Sequence, residues 1–239
     1  MKDSQLIEMD LADTIIDRPH GFSVGSRHFY LYPVTLGKMF LLNRLTDELQ
    51  INEAILKANP YIEMLRLANL RKGICSQILA YHTIRTKAKI FDNEFVRNRS
   101  KWFEEQIDVK DLARFMSMVM TAMKLDDFMK NLKLDREQRR LERVMRVKRD
   151  KNNISFGCLS IYGNLIDAAC ERYHWTFDYV VWEISYINLK LMLADKATSI
   201  FVSDEERKKL PPSVFASQTN IIKADDPKNR ELIKQMSWR

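Results

Sequence analysis

The chain has 239 residues, 46% of them apolar, and carries 39 Lys and Arg against 32 Asp and Glu, a formal charge of +7. That apolar share supports a real core and excludes a disordered polyelectrolyte. Six glycines and three cysteines leave little material for a phosphate-cradling loop or a disulfide framework.

Residues 1 to 20 show no capped, periodic pattern and read as a flexible N-terminal arm. Acids interrupt what would be the apolar run of a signal peptide, and no apolar run reaches the roughly 18 residues of a membrane helix, so neither secretion nor membrane spanning is expected. Phe22 to Val24 and Phe29 to Leu31 alternate apolar and polar around Gly25-Ser26, which predicts a hairpin with a type II′ turn. Pro33 cannot donate to a ladder and ends the second strand. Thr35 then caps a helix with the stripe Met39, Leu42, Leu45 and Leu49.

Asn59-Pro60 is a helix start, since the Asn side chain accepts an orphan N–H and Pro at the first position has none to lose. The spacing of Met64, Leu67, Ile74, Ile78 and Tyr81 predicts one helix from there to about Ile90, with Gly73 inside it. At Ile107-Asp108, the aspartate caps a further helix and the isoleucine packs on Leu112 as a hydrophobic staple. That helix carries Phe115, Met116, Met118, Met120 and Met123. It gives way to a charged stretch, Lys124 to Lys151, with 11 basic and 6 acidic residues, a local net of +5.

Asn152-Asn153 ends that stretch. Ser155 caps a helix whose face is Leu159, Tyr162, Ile166, Ala169 and Tyr173. Thr176 and Ser185 each precede an apolar run and cap two short helices, Phe177 to about Glu183 and Tyr186 to about Lys196, with Trp175 and Trp182 filling the corner. Ser203-Asp-Glu-Glu is a capped turn, and Pro211-Pro212 stops regular structure. The fold class is therefore mainly α with a small N-terminal β-hairpin, an irregular helical bundle. Its sections are the arm over 1–20, the hairpin and central helices over 21–154 with the basic segment 124–151, a C-terminal helical module over 155–210, and an extended tail over 211–239.

The chemistry-bearing residues do not converge in sequence. His20, His28, His82 and His174 share no metal-ligand spacing, and the adjacent pairs Glu104-Glu105 and Asp126-Asp127 point around a helix rather than at one ion. No catalytic, metal or cofactor residue is assigned, and no enzyme is expected. Cys75, Cys158 and Cys170 lie in apolar stretches without CxxC spacing and read as buried, reduced thiols, in keeping with a cytoplasmic setting. Arg136, Arg139, Arg140, Arg143 and Arg146 lie in neighbouring helical rows interrupted by Asp135, Glu137 and Glu142. Three readings of that segment stand: a solvated, salt-bridged helix, a contact for an acidic protein, or a phosphate-neutralising face. The methionines are either core filler or an adaptable apolar surface.

Two stretches resemble the bacteriophage tail assembly chaperones, which accompany the tape-measure protein while a tail is built. One is FSVGSRHFYLYPVTLGK, residues 22 to 38, similar to a β element followed by a P-(L/V)-T-(L/V)-G helix entry. The other is ERYHWTFDYVVWEISYINLKLMLAD, similar to a closing module of W-(S/T), a short helix and a Leu-rich helix. Together the matching residues cover roughly 45 positions of the chain. The resemblance implies a non-enzymatic helical protein of the host bacterial cytoplasm that holds a helix-prone client. The partner would be a tape-measure or other tail protein, with self-association left open. A structural tail or baseplate component would share the same fragments, and a nucleic-acid-binding protein using the basic helix is a further alternative. The partner-binding residues expected on this reading are Met116, Met120 and Met123 as the groove, with Arg139, Arg143 and Arg146 as its rim.

Overall fold

The fold is that of a computed structural model, which describes residues 2–121, 125–148 and 157–215, the first seven of these and Thr121 through their backbone alone. It is mainly α with one two-stranded antiparallel hairpin near the N-terminus, as the sequence predicts. The described residues divide into two compact units, 2–136 with 157–198, and 137–148 with 199–215.

In the first unit, α1 spans Lys2–Ile15, which corrects the reading of residues 1 to 20 as an arm. The reason lies far along the chain. The Asn188 side-chain amide donates to the carbonyls of Thr14, at 3.0 Å, and Ile15, and to Asp17 Oδ1 at 3.0 Å. Asn188 thus satisfies carbonyls that every helix leaves orphaned at its C-terminus, and Leu11 packs beside Phe128 and Leu191. Asp17, with φ 50°, turns the chain in the left-handed conformation that aspartate tolerates.

The hairpin pairs β1, His20–Val24, with β2, Arg27–Leu31, in a register that opposes Val24 to Arg27 and Phe22 to Phe29. Gly25 has φ 57° whereas Ser26 stays at negative φ, the pattern of a type II′ turn. Phe22, Val24 and Leu31 point inward with a period of two and pack against the helices, where Phe22 meets Phe115 at a ring separation of 4.5 Å. Thr35 caps α2, Leu36–Leu49, by accepting from the Lys38 N–H.

After α3, Glu53–Ala58, Asn59 accepts from the Tyr61 and Ile62 N–H groups and starts α4, Pro60–Leu70. The helix expected to reach Ile90 is three: α4, then α5, Lys72–His82, and α6, Lys87–Ile90. Arg71 leaves helical geometry at φ −138°, and the Thr83 hydroxyl donates to the Ala80 carbonyl to close α5. Both α4 and α5 keep apolar faces on one core, so the periodicity runs unbroken across a change of direction. Two further helices complete that core: α7, Asn93–Gln106, capped by Asp92, and α8, Val109–Thr121, where Asp108 accepts from the Asp111 N–H and Ile107 and Leu112 are both buried. The fully enclosed Glu63 joins α3 to α4. It accepts from the Asn52 N–H at 2.7 Å and from two nitrogens of Arg66, which hold its carboxylate below the usual range.

The helix α9, Leu125–Asn131, follows, and then α10, Leu134–Val147. The helical face expected from Ser155 onward is only partly present. Ser155 and the Asn152-Asn153 stop lie outside the described residues, and Leu159 is 96% exposed with Tyr162 exposed beside it. Regular structure resumes as a π-helical turn, Tyr162–Asp167, and α11, Ala168–Tyr173, which bury Leu165, Ile166 and Ala169. The aromatic stretch folds as two helices, α12, Phe177–Trp182, and α13, Tyr186–Ala194. Thr176 accepts from the Tyr179 N–H and Ser185 from the Asn188 N–H.

This corner does not form a separate module with the residues up to 210. Leu36 of α2 is in its core, the Tyr186 N–H donates to the Val34 carbonyl at 2.8 Å, and a Cβ on Gly37 would lie 2.6 Å from the Trp182 ring. The two indoles pack against this core half-buried.

The second unit holds most of α10 and α14, Asp204–Lys209, whose capping box sets Ser203 against Glu206. Its core is Val144, Leu210 and Val214, with Ile200 and Val202 at the edge. Arg140 donates to the Val214 carbonyl. A tail starting at 211 is thus corrected as far as 215: Pro212–Val214 is a 3-10 turn with a buried valine, and 216–239 lie outside the described residues. Of the thiols, Cys75 is buried and pushed up to about 11 by that burial, Cys170 is half-buried, and Cys158, expected inside, is exposed. Among the described residues no helix is long and apolar enough to cross a membrane.

Candidate functional site

The first unit contains an apolar cleft of about 370 Å³, within the range of pockets that take compact ligands or anchor side chains. Its walls come from six parts of the chain. Leu31 to Val34 leave the hairpin, α2 supplies Met39 and Leu42, and α5 supplies Ile78 and His82. The end of α8 contributes Met118, Val119 and Met120, and Phe128 and Ile187 close the far side. One mouth is the C-terminal end of α1 and the turn after it, with Asp10, Asp13, Asp17 and Arg18. Three thioethers in one cleft give a lining that repacks around differently shaped apolar groups.

The sequence-predicted residues divide here. Met116 is fully enclosed in the main core among the α4, α5 and α8 side chains, so its assignment to a groove is corrected to core filler. Met120, one turn further along α8, does line the cleft, and Met118 joins it with 42% of its surface exposed. Met123 lies outside the described residues. Arg139, Arg143 and Arg146 are exposed on the part of α10 that belongs to the second unit. Sequence reasoning missed Met39, counted as a core position of the α2 stripe, and the three aspartates in and just after α1. Asp10 and Asp13, at i and i+3, share a face of α1, and Asp17 follows in the left-handed turn after it, a placement readable only once α1 is known to be a helix.

The ionisable groups around the cleft are tuned mainly by burial. Asp17 accepts from Asn188, yet burial outweighs its hydrogen bonds and raises its carboxyl. Asp13 pairs with Arg18 at 3.1 Å. His82 is held down at about 3, first by burial and then by the charge on Lys38, so the cleft sees a neutral imidazole near pH 7. Lys38, 2% exposed, is itself lowered to about 8 by burial and by Arg85. Among the described residues no three His, Cys, Asp or Glu side chains gather in a metal-holding group. The arrangement is suited to holding an apolar group beside an acidic lip.

Comparison with protein-family models, with curated proteins and with solved structures gives no match for this chain.

Proposed function

We propose that this protein is a non-enzymatic assembly chaperone of a phage or prophage tail, which holds a segment of the tape-measure protein in the host bacterial cytoplasm until the tail is built around it. The single observation that supports the reading best is the thioether-lined cleft over Met39, Met118 and Met120. An assembly chaperone needs an apolar surface that adapts to a helical client and then releases it, and methionine linings do this at little cost in shape. The lip of Asp10, Asp13 and Asp17 against the lone Arg18 favours client segments with Lys or Arg beside their apolar anchors. The hairpin-to-helix entry through Pro33 and Thr35 and the paired caps at Thr176 and Ser185 have the order that the tail-chaperone resemblance implies.

Co-expression with a tape-measure gene tests the proposal, followed by affinity capture and mass spectrometry of purified particles. The proposal predicts that the two products co-purify and that this chain is absent from finished particles. Both proteins staying in solution alone without associating would overturn it. Stoichiometric recovery in particles would favour a structural tail component instead.

A further inference from the structure

A second concavity of the first unit, about 550 Å³ and open to solvent, lies between β2 and α7, on residues that neither the methionine cleft nor the basic segment uses. Arg27 and His28 come from the strand, and Phe95, Asn98, Arg99 and Trp102 recur at i, i+3, i+4 and i+7 along one face of α7. No carboxylate lines it.

The cations in and beside this concavity lie over rings. The Arg27 guanidinium sits 4.9 Å from the Trp102 centroid, and that of Arg99 lies 4.5 Å from Phe95, which also receives Lys89 at 5.5 Å. Arg99 is fixed further by donating to the Thr83 carbonyl and hydroxyl. Stacking fixes the plane of a guanidinium while its N–H edge stays available, the geometry for a two-pronged grip on a carboxylate. Among the described residues none of Arg27, Lys89 and Arg99 has an acid within salt-bridge distance, whereas Arg66, Arg114 and Arg140 each have one a single turn away.

We propose that this cleft is a docking site for an acidic peptide segment of a partner protein, whose carboxylates pair with Arg27, Lys89 and Arg99. A peptide is favoured over single-stranded nucleic acid because nucleic-acid sites of this kind stack bases on vacant aromatic faces. Here the faces of Trp102 and Phe95 already carry the protein's own cations. The inference stands independently of the tail reading.

Fluorescence anisotropy on the full chain tests it, with a labelled oligoglutamate peptide and a labelled oligothymidylate of equal charge as probes, at low and at moderate salt. Oligoglutamate should bind, weaken with salt, and bind more tightly than oligothymidylate. The double variant Arg27→Gln, Lys89→Gln changes two exposed side chains and should raise the oligoglutamate Kd by about tenfold, or more, with an unchanged melting curve. Arg139→Gln with Arg143→Gln, in α10, should leave it unchanged. No oligoglutamate binding at low salt, tighter binding of oligothymidylate, or loss through the α10 pair rather than the cleft pair would each overturn the proposal.

Discussion

Replacing Lys38 by methionine should stabilise the protein at neutral pH, an unusual direction for a substitution at a position 2% exposed. The ammonium has its ordinary value near 10.5 in the unfolded chain and about 8 in the fold, with burial the larger cause and Arg85 the smaller. That difference disfavours the charged form by about 3 kcal/mol. The sign follows from proton counting. Below pH 8 both states carry the proton and the whole penalty is present. Between 8 and 10.5 the unfolded chain binds it and the fold does not, so stability rises with pH. Methionine keeps the unbranched reach of lysine and removes the charge. It also removes the cation–ring contact with Tyr32, 5.8 Å away, which is worth about 0.5 to 1 kcal/mol. The expected net gain at pH 7 is about 2 kcal/mol, shrinking toward zero by pH 10 as the wild type sheds its proton. Urea unfolding of both proteins at the two pH values reads the difference directly, and the groups around Lys38 that also titrate or carry charge, Arg85, His82 and Tyr32, are common to both. A variant less stable than wild type by the same amount at both pH values would refute the reasoning, because it would mean the ammonium has a counterion.

His82 gives a test of the same sign at acid pH. It is held neutral at about 3 against 6.5 when unfolded, so the unfolded chain binds more protons between those values, and stability should fall by about 1.4 kcal/mol per pH unit on acidification below 6.5. His82→Gln should flatten that slope in unfolding titrations at pH 7, 6 and 5. Gly37→Ala would place a methyl 2.6 Å from the Trp182 ring and should destabilise by about 1 to 3 kcal/mol in thermal melts, with Trp fluorescence altered in the folded state. Ser203→Ala breaks the capping box of α14 and should cost about 1 kcal/mol, seen as faster hydrogen exchange in residues 204–209. Met118→Glu puts a charge at the cleft from a side chain 42% exposed. Its melting temperature should stay close to wild type while client recovery in pull-downs falls by about tenfold or more.

Local chemistry was legible in the sequence wherever a single side chain decides a boundary. Thr35, Asn59, Asp108, Thr176, Ser185 and Ser203 all make the capping bonds their positions suggest. Gly25 takes the one positive φ that the hairpin turn requires. What the sequence concealed is long-range. α1 is fixed by Asn188 and by the core around Phe128 and Leu191, and no window of residues 1 to 20 contains those partners. The corner of α12 and α13 joins the first unit through Leu36 and the contact of Trp182 with Gly37, which a boundary drawn from the Asn152-Asn153 stop and the Ser155 cap cannot anticipate. The site was half legible for the same reason. Met116 and Met120 are one turn apart and equivalent in sequence, but the first meets the interior between α4 and α5 and the second meets the cleft. The cationic cleft was invisible because it needs the hairpin laid against α7, two elements that share no sequence pattern.

The central claim is that the thioether-lined cleft is the working surface. Methyl-labelled methionine NMR of the full chain, titrated with a purified tape-measure fragment, tests it most directly. The account predicts that the Met39, Met118 and Met120 methyl resonances shift and broaden together while enclosed Met116 and Met64 stay in place. Binding that leaves those three methyls unmoved would contradict it.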